Sequence, residues 1–568
     1  MVILGLWDGH DAGAALIEEG RLTVAINEER LTRRKLEIGF PAGSIRECLH
    51  IRGMVPGDID HVAISTHDWA KTLGRWLPSS METHYRVRRR LAPPGWRSSL
   101  TKRLKYRLTT WPGNAFTLAL SRHAVTRRLQ TMGIHAAPLA FVDHHTAHAS
   151  AAFLSGFAHA VVITLDGVGD GLSGSIHHYD GERLHPLARI PACHSLGIFF
   201  EHVTNLLNMR ELEDEGKVMA LADHALPVPD ACNPLLALFQ VSGLTITCRL
   251  HGQALYRQLA RTLWTTPSEQ FAFMAQRTLE HHVLHLVQNA IARTGAHHVV
   301  LAGGLFANIK INGLIRTLPG VEACHVFPHM GDGGLAVGAA LHQHRLVAPS
   351  VPCQPLDHLQ LGSSYDEATI LAAIQAVPDL RQRRVDDPAA EAARLLAEGT
   401  ILGWFQGAME YGPRALGGRS ILAPADRPSL RRELNVTLKK RTWYQPFCPS
   451  LLETEAERLL VDGQGPPDRF MTSAYHFREA YRERLASVSG QDGSCRPQMV
   501  APGQDPFARL LLALHKRTGL GILLNTSFNA HGEPLVRTPA DAIRTFQTTS
   551  LPCLIMGHHV ITRCHTPA

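Results

Sequence analysis

Three histidines fall within five consecutive positions of the segment VDHHTAHASAA, at His144, His145 and His148. In a helix, His144 and His148 would project from the same face, because four residues make about one turn. Imidazole nitrogens are common ligands of divalent metals, but two ligands do not complete a site. The chain holds 34 histidines, which weakens the signal of any one pair. The spacing predicts part of a metal site whose other ligands come from elsewhere.

Two aspartates in glycine-rich turns are the candidates for the missing ligands. Asp166 ends an apolar run in ITLDGVGDG, and Asp332 lies between glycines in HMGDGGLAVG. Two imidazoles with two carboxylates suit Fe(II), Mn(II), Zn(II) or Co(II). The alternative is that both aspartates only stabilise turns.

A candidate general base lies near the N-terminus. His10 follows an apolar run in VILGLWDGHDAGAA, with Asp11 beside it. Imidazole titrates near neutral pH and can remove a proton from an acceptor hydroxyl. The alternative is a polar loop histidine without a chemical role.

The C-terminal part of the chain predicts a site for a phosphate ester. Glycines allow close backbone approach, and guanidinium groups donate paired hydrogen bonds to phosphate. The candidate residues lie in loops punctuated by glycine and proline, which favours a site over a solvated face. They are Arg414 and Arg419 in EYGPRALGGRSIL, Lys439 and Arg441 in LKKRTWYQPF, and Asn525, Ser527 and Asn529 in LLNTSFNAHGEPLV.

The elements that would position these residues follow a repeated pattern. A strand, an Asp-Gly turn, a strand and a hairpin are predicted around Asp8 and again around Asp166. A strand over 137–142 precedes a helix over 144–154, and a later strand leads through Gly303 and Gly304 into another helix. This duplication resembles the ATPase fold shared by actin, sugar kinases and heat-shock ATPases. The predicted fold class is α/β.

Composition bounds the remaining choices. A chain of 568 residues with 45% hydrophobic and 19% charged residues indicates a globular protein of two or three domains. Ten scattered cysteines without a CxxC pair favour a reducing, cytoplasmic location and argue against cysteine-bound zinc. We expect no transmembrane segment and no secretory leader.

A proline-rich stretch at 347–358 predicts a linker between a domain at 1–346 and a domain at 359–568. The second domain is predicted to be mixed α/β. Its expected helices lie near 387–398 and 506–518, and its expected strands near 400–405 and 520–524.

The segment 71–130 is strongly basic. It holds 14 Lys or Arg and one acid, a net charge of +13, while the whole chain carries +7. Aromatic residues interleave with the charge at Tyr85, Trp96, Tyr106 and Trp111. The segment is either a solvated insertion or a docking surface for an anionic partner, such as a nucleic acid, a nucleotide-linked sugar or a phospholipid head group.

Many of these motifs together resemble the NodU/CmcH-type O-carbamoyltransferases. The matching motifs include HDAGAAL, HHTAHASAAF, LDGVGDG, AGGLFANIKIN, GDGGLAVGAA, EYGPRALGGRSIL and NTSFNAHGEPLV, in family order and outside the basic insertion. The resemblance implies an N-terminal module similar to the tRNA threonylcarbamoyl transferase and a C-terminal module similar to threonylcarbamoyl-adenylate synthase. The latter would form carbamoyl adenylate from carbamoyl phosphate and ATP, and the former would pass the carbamoyl group to a hydroxyl.

The resemblance also implies roles for individual residues. Fe(II) is the metal it favours, ahead of Mn(II), Zn(II) and Co(II), and Mg(II) would accompany ATP. The implied metal ligands are His144, His148, Asp166 and Asp332. The implied catalytic residues are His10, Asp11 and Lys35, and the implied nucleotide-binding residues are Gly167, Lys217, Gly303, Gly304 and Asn308. The implied carbamoyl phosphate and ATP site comprises Arg414, Arg419, Lys439, Arg441, Asn525, Ser527 and Asn529.

The chain departs from the family pattern at two positions near the predicted phosphate site. Thr442 and Gln445 stand where an acid and an arginine are usual, which leaves the phosphate contacts open. The acceptor also stays open: a natural product, a sugar and a nucleoside all carry hydroxyls. Two other functions remain alternatives, carbamoylation of tRNA or another nucleic acid and an ATP-dependent binding switch, and a homo-oligomer is compatible with the sequence.

Overall fold

The computed structural model describes residues 1–93, 104 and 107–564. The chain divides into two compact units. The first contains Met1–Thr32 and Leu36–Asp357, and the second contains Arg33–Lys35 and His358–Ala568. The second unit therefore includes three residues from the N-terminal part of the chain, which a single boundary near 347–358 does not anticipate.

Two five-stranded sheets form the first unit. The strands are β1 (Val2–Trp7), β2 (Gly13–Glu18), β3 (Arg21–Asn27), β4 (His61–Ser65), β5 (Leu139–Val142), β6 (Ala160–Gly169), β7 (Leu172–Tyr179), β8 (Leu184–Pro191), β9 (Phe239–Ser242), β10 (Thr245–Cys248), β11 (His298–Ala302) and β12 (Ala323–Val326). The first sheet has the order β3-β2-β1-β4-β5 and the second has the order β8-β7-β6-β11-β12. β9 and β10 form a separate two-stranded ribbon.

The two sheets share one topology. In each sheet, the first strand pairs antiparallel with the hairpin that follows it and parallel with a later strand, as β1 does with β2 and β4, and β6 with β7 and β11. The duplicated α/β fold predicted from the repeated turns is confirmed.

Helices cover these sheets, and one of them lies close to β1. Any Cβ at Gly5 would meet the carbonyl oxygen of Ala336 at 1.9 Å, and one at Gly338 would meet that of Ala147 at 2.0 Å. Glycine at these positions lets the helix Leu335–Val347 approach both the first sheet and the helix His144–Ala149. Within the part of the first unit that the structure describes, the other helices of at least eight residues are Ala42–Arg52, Trp69–Trp76, Pro78–Arg88, Ala115–Gln130, Leu196–Leu206, Glu215–Ala222, Gly252–Trp264, Ser268–Thr294 and Ile309–Arg316.

The described parts of the basic insertion are largely helical, and some of its charge is used inside the unit. Arg75 forms a buried ion pair with Asp8, and Arg89 forms one with Glu213. The insertion is therefore not simply solvated. Trp96 and Tyr106, two of its predicted aromatic residues, lie outside the described residues.

An eight-stranded sheet forms the second unit. Its strands are β13 (Leu380–Arg384), β14 (Leu402–Phe405), β15 (Arg419–Pro424), β16 (Cys448–Leu452), β19 (Gln498–Val500), β20 (Ile522–Ser527), β21 (Cys553–Met556) and β22 (His559–Arg563). They lie in the order β13-β22-β21-β14-β15-β20-β16-β19, and β17 (Tyr475–His476) and β18 (Ser494–Cys495) form a separate ribbon.

Helices pack on both faces of this sheet. The predicted helices are observed at Pro388–Ala397 and Pro506–Thr518, where they share one apolar core with Trp404 of the sheet. The helices Glu367–Gln375 and Pro539–Thr548 share the core on the opposite face, with Phe405. Alternate residues of β14 therefore point to opposite cores, as a strand buried on both faces requires.

Within the described residues, none of the helices combines the length and the apolarity that crossing a bilayer would need.

Candidate metal centre and phosphate site

The four side chains predicted to hold a metal lie together in the first unit. His144 Nε2 and His148 Nε2 lie 3.3 Å and 3.1 Å from the same oxygen, Oδ2 of Asp166. They lie 3.6 Å and 3.7 Å from Oδ1 of Asp332. Both histidine side chains are 2% exposed, so water competes little for the position between the four groups.

The helix and turn geometry explains this convergence. His144 opens a helix that follows β5, and its ring packs against the ring of His148 with 4.8 Å between centroids, as a spacing of four residues predicts. Its backbone N–H donates to Oδ2 of Asp170 at 2.7 Å, which ties the start of the helix to the β6–β7 hairpin. Asp332 opens a short 3₁₀ turn that leads into the helix Leu335–Val347.

The third histidine of the motif has a structural role. Nδ1 of His145 lies 2.9 Å from Oγ1 of Thr164 in the second sheet. Burial, assisted by the neighbouring His144 and His148, holds the pKa of His145 well below its ordinary value. His145 is therefore a neutral packing residue.

The donor set fits a divalent transition metal. Ligand atoms bonded at about 2.1 Å lie roughly 3.0–3.4 Å apart across right to tetrahedral angles, close to the separations from Asp166 and slightly shorter than those from Asp332. Burial opposes protonation of His148, but hydrogen bonds and charges from Asp166 and Asp332 outweigh it and raise its pKa to about 9. The two carboxylates thus create a strongly cation-attracting position, which an N₂O₂ site for Fe(II), Mn(II), Zn(II) or Co(II) requires.

His10 lies against the other oxygen of Asp332. Its Nε2 is 3.1 Å from Oδ2 of Asp332, whereas Oδ1 faces the two ligand histidines. Nδ1 of His10 is buried and hydrogen-bonds to no group in the described part of the chain. Asp332 therefore connects the metal position to an imidazole whose second nitrogen has no hydrogen-bond partner among the described residues.

Asn27, which the sequence did not single out, holds the two turns that carry these groups. Its Nδ2 donates to the carbonyl of Asp11 at 2.9 Å, and its Oδ1 lies 3.0 Å from Nε2 of His329. Asn27 is the last residue of β3. The pairing of β3 with β2 places it between the turn at Asp11 and the turn at His329, which lie far apart in sequence. Asn27 is a positioning residue for His10 and Asp332.

Two of the residues predicted to be catalytic are placed differently from His10. Asp11 is in the left-handed region at φ 58° and supplies its carbonyl to Asn27; it is not among the described residues that line the cavity next to His10. Lys35 belongs to the second unit, where its charge helps to lower the pKa of Lys439. The structure therefore associates Lys35 with the phosphate-site residues.

The predicted nucleotide residues divide into two groups. Gly303 donates its N–H to the carbonyl of Met330 at 2.7 Å, and Gly304 leaves room for Oδ1 of Asp166, which would lie 2.9 Å from a Cβ there. Gly167 lines the same cavity as the metal ligands. At all three glycines protein atoms occupy the place of a Cβ, so these residues allow close packing of the turns around Asp166. Their contact with a nucleotide stays a prediction.

Asn308 and Lys217 form the second group, and their side chains bond to other residues of the first unit. Nδ2 of Asn308 donates to Gln276 at 2.7 Å, and its Oδ1 caps the helix Ile309–Arg316. Lys217 forms an ion pair with Asp214 at 2.7 Å. Both polar ends have protein partners, and their contact with a nucleotide stays a prediction.

A cavity of about 810 Å³ opens from the metal position within the first unit. His10, Asp166 and Asp332 line one end. The opposite wall includes Val87 and Arg88 of the basic insertion. The volume is large enough for a drug-sized or disaccharide-sized molecule, and the insertion contributes to its shape.

In the second unit, Lys439 joins two of the predicted polar residues. Its Nζ donates to the carbonyl of Ser527 and to Oδ1 of Asn529, the latter at 2.9 Å. Oγ of Ser527 donates to the same Oδ1 at 2.7 Å. Burial, followed by the charges of Arg441 and Lys35, lowers the pKa of Lys439 well below its ordinary value.

Three arginines add to this positive region. Burial, together with charge repulsion from Arg496, lowers the pKa of Arg414 to about 9. Arg441 lies over the Phe447 ring at 4.1 Å, and Arg496 donates two hydrogen bonds to Sγ of Cys448, at 3.0 and 3.2 Å. Among the described residues, no carboxylate forms an ion pair with Arg414, Arg441 or Arg496. Buried cations without an acidic partner favour binding of an anion.

Arg496 was missed from sequence. It is a single basic residue in SCRPQMV, with no glycine loop and no charge cluster around it. Only the pairing of the neighbouring strand β19 with β16 brings it to Cys448.

Arg419 and Asn525, two of the predicted phosphate-site residues, are part of the core. The guanidinium of Arg419 is fully buried, lies 3.6 Å from the Phe405 ring centroid, and donates to backbone carbonyls that include Gln406 and Ser363. Nδ2 of Asn525 donates to the carbonyl of Ala415 at 3.1 Å. These side chains hold the glycine loop in place, and their contact with a phosphate stays a prediction.

Glu410 explains why this loop needs a buried arginine. Its Oε1 accepts the backbone N–H groups of Leu416, Gly418 and Arg419 at 2.7, 3.1 and 3.1 Å. The negative charge of Glu410 favours the charged form of Arg419, although burial lowers the pKa of Arg419 to about 10. The two residues together fix the loop that presents Arg414.

Comparison with known proteins gives two family matches that cover most of the chain. Residues 2–341 match the family model described as carbamoyltransferase N-terminus, and residues 393–563 match that described as carbamoyltransferase C-terminus. The nodulation protein NolNO of Sinorhizobium fredii is 32% identical over 97% of this chain and 79% of its own length. The nodulation protein NolO of Bradyrhizobium diazoefficiens is 35% identical over 74% of this chain and 78% of its own length.

Among solved structures, component A of the (R)-2-hydroxyglutaryl-CoA dehydratase of Acidaminococcus fermentans matches 60% of this chain and 97% of that protein. It is 15% identical, with a TM-score of 0.33.

Proposed function

Because the chain belongs to the carbamoyltransferase family, we propose that it is an ATP-dependent O-carbamoyltransferase that uses its two units for successive reactions. In the first reaction, carbamoyl phosphate, water and ATP yield carbamoyl adenylate, phosphate and pyrophosphate. In the second, an acceptor hydroxyl attacks the carbamoyl carbon and AMP leaves. The acceptor is a small molecule with a free hydroxyl, in the class of natural products, sugars and nucleosides.

The position of Asp332 between the metal cluster and His10 is the observation that carries this proposal. One carboxylate oxygen faces His144 and His148, and the other holds Nε2 of His10. A proton-accepting group is therefore held next to a position that can bind a cation. That combination suits the activation of a hydroxyl beside an acyl phosphate.

His10 is the proposed general base. If Nε2 carries a hydrogen that it donates to Asp332, then Nδ1 holds the lone pair that accepts the proton of the acceptor hydroxyl. Asp332 orients the ring and stabilises the imidazolium that forms, as a carboxylate partner of a catalytic histidine does. The proton then leaves His10 to solvent through the cavity.

His144, His148, Asp166 and Asp332 would hold the divalent metal, Fe(II) being our first choice. When bound, it supplies Lewis-acid stabilisation to the negative charge that develops on the departing phosphate group. The adenylate would lie beside Gly167, which lines the cavity together with Asp166 and Asp332. Gly303 and Gly304 are the expected adenosine turn, and they pack next to Asp166.

The second unit is the proposed adenylate-forming site. Arg414, Lys439, Arg441 and Arg496 supply positive charge to carbamoyl phosphate and to the phosphates of ATP, with Mg(II) accompanying the ATP. Guanidinium donors orient phosphate oxygens in pairs and offset their charge as pyrophosphate leaves. Lys439 is held by Ser527 and Asn529, so these two residues position a binding cation.

Mass spectrometry with ATP, carbamoyl phosphate and a panel of hydroxyl acceptors tests the overall reaction. We expect an acceptor with one added carbamoyl group and AMP in equal amount. ATP–pyrophosphate exchange tests the first step alone, and we expect it to depend on carbamoyl phosphate. Exchange or ATP hydrolysis that proceeds at full rate without carbamoyl phosphate would instead support the ATP-dependent switch.

Carbamoylation of a nucleic acid is a weaker alternative for the same centre. It relied on the charge of the insertion, but Arg75 and Arg89 use part of that charge in ion pairs within the unit. Binding of tRNA that weakens steeply with salt, followed by carbamoylation of the tRNA, would favour this alternative. A cytoplasmic location and a homo-oligomer stay predictions.

A further inference from the structure

The helix Trp69–Trp76 buries polar side chains and exposes apolar ones. Thr72 and Arg75, on its inner face, are 1% and 8% exposed. Leu73 and Trp76, on its outer face, are 42% and 45% exposed. A helix that packs on a core normally turns its apolar residues inward, so this helix presents to solvent the side chains that its neighbours would usually cover.

Buried hydrogen bonds hold the helix in this orientation. Nε of Arg75 donates to Oδ2 of Asp8 at 2.7 Å, and Nη1 donates to the carbonyl of Thr66 at 3.0 Å. Nη1 also donates to Oγ of Ser121 at 2.9 Å, and Oγ1 of Thr72 lies 2.8 Å from the same oxygen. Rotating the helix to bury Trp76 would leave the Asp8 charge unpaired, which is costly. The outward position of Trp76 is therefore fixed by the fold.

The helix Ala115–Gln130 extends the same surface. Its inner residues Thr117 and Ser121 are fully buried, whereas Phe116 is 60% exposed. The Trp69 and Phe116 rings lie 6.1 Å apart, and Trp76 stacks on His123 at 5.6 Å. We call this surface the aromatic face; it comprises Trp69, Leu73, Trp76, Leu77, Phe116 and His123.

The segment that carries most of the aromatic face is strongly basic in sequence. The segment 71–130 contains 14 basic residues and a single acid, Glu82. Arg127 lies on the same helix as Phe116 and His123, at a spacing of four residues from His123, and it is exposed. Exposed aromatic and leucine side chains bordered by cations are the pattern of elements that lie in the interface of an anionic bilayer.

We infer that the aromatic face is a docking surface for an anionic lipid bilayer. Trp76 and Phe116 would enter the boundary between head groups and acyl chains, and the cations would contact lipid phosphates. Leu73 and Leu77 favour lipid over nucleic acid, because aliphatic side chains neither stack on bases nor bond to phosphates. The inference goes beyond carbamoyl transfer and stands independently of it.

The docking surface and the cavity share the insertion. Val87 and Arg88, which line the cavity, lie in the helix Pro78–Arg88, which directly follows the helix Trp69–Trp76 of the aromatic face in sequence. A protein that docks through this segment would hold its cavity near molecules at the membrane surface. Acceptors attached to lipid would then be favoured over the same hydroxyl compound free in solution.

Co-sedimentation of the full-length protein with vesicles tests the inference. We expect binding to phosphatidylcholine vesicles that contain phosphatidylglycerol, and little binding to phosphatidylcholine alone. The double variant Trp76→Ala/Leu77→Ala should weaken binding by roughly tenfold or more, because two large apolar side chains no longer enter the bilayer. Phe116→Ala, on the second helix, should weaken it as well and provides an independent variant.

A control variant removes one tryptophan and one leucine that are exposed elsewhere on the first unit. Trp264 and Leu226 are 89% and 76% exposed and lie outside the segment 71–130. The variant Trp264→Ala/Leu226→Ala should bind vesicles as the unmodified protein does. Arg127→Glu should weaken binding roughly fivefold for each unit of charge changed, and added salt should reduce this difference.

Three outcomes would overturn the inference. One is that the unmodified protein does not sediment with phosphatidylglycerol vesicles. Another is that the aromatic-face and control variants bind equally. The third is that aromatic-face variants lose binding to single-stranded RNA, or dissociate a dimer, while vesicle binding is unchanged.

Discussion

The two units carry sites of opposite charge. In the first unit, Asp166 and Asp332 converge with two imidazoles on a position that attracts a cation. In the second, Lys439 and Arg441 lie with other cations and without an acidic partner in the described structure, so that position attracts an anion. Burial makes both arrangements unfavourable without a bound group of opposite charge. A cluster of buried groups with the same charge therefore indicates a position that binds a ligand. Whether that charge is negative or positive indicates whether the ligand is a cation or an anion.

The partners of buried cations also distinguish groups that could bind a ligand from groups that hold the fold together. Arg419 is as buried as Lys439, but Arg419 has the charge of Glu410 and several carbonyls as partners. Nε is buried without a partner in both Arg414 and Arg419, but among the described residues only Arg419 donates its other guanidinium N–H groups to carbonyls. Burial by itself is thus a poor guide; the partners of a buried charge decide its role.

Asp332→Asn should have the largest effect. The neutral amide would weaken the metal position and remove the charge that orients His10, so we expect carbamoyl transfer to fall by at least on the order of 10⁴-fold. Metal content, measured by mass spectrometry of the purified protein, should fall too, while pyrophosphate exchange should persist. Asp386→Asn, at an exposed position, is the control, and equal loss of exchange in Asp332→Asn would break the separation of the two sites.

His10→Asn should lower transfer by on the order of 10³-fold, because no group would accept the hydroxyl proton. Metal content and pyrophosphate exchange should stay close to those of the unmodified protein. Transfer at the normal rate would show that another group is the base.

Lys439→Met should lower pyrophosphate exchange by about 10²-fold, because a charge that contacts the phosphate site is lost. Transfer from carbamoyl adenylate supplied directly should continue. The neighbouring Lys440 is exposed, and Lys440→Met provides a matched control with little expected effect. If the two variants lose exchange equally, the positive cluster is not the site of adenylate formation.

Arg419→Met should act on stability. It would leave Glu410 without its charged neighbour and several carbonyls without donors, and we expect the free energy of unfolding to fall by roughly 2–4 kcal/mol. Chemical denaturation followed by circular dichroism would measure this, with Arg432→Met as an exposed control. A stable variant that lacks exchange activity would restore Arg419 as a ligand.

Glu215→Gln should act on stability and leave both reactions unchanged, and the size of its effect depends on pH. Burial, followed by the charge of Glu201, raises the pKa of Glu215 from 4.5 to about 8. The folded protein therefore holds a proton that the unfolded chain has lost, and wild-type stability falls as pH rises from 4.5 through 8. Glutamine removes this dependence, so the variant should gain up to roughly 4 kcal/mol relative to wild type near pH 8 and about 1 kcal/mol near pH 5. Melting temperatures at the two pH values would measure the difference, and a constant offset would contradict the assignment.

Local patterns in the sequence predicted much of the fold. The strand–turn–strand repeats around Asp8 and Asp166 predicted the duplicated sheets, and the spacing of His144 and His148 predicted one face of a helix. Strand and helix periodicities depend on neighbouring residues, so they can be read without tertiary structure. The four metal-site residues are also short side chains on rigid elements, and their direction follows from the backbone that carries them.

Long side chains and sequence-distant contacts could not be read in this way. Arg419 and Arg496 are chemically identical, yet one bonds to carbonyls in the core and the other reaches Cys448 beside the positive cluster. The helix of Trp76 turns its apolar side outward because Arg75 finds Asp8, a residue far away in sequence. The sequence by itself determined the elements and the short residues that they present. Only the tertiary structure decided which long cations face a ligand, because their direction depends on partners that folding brings from elsewhere.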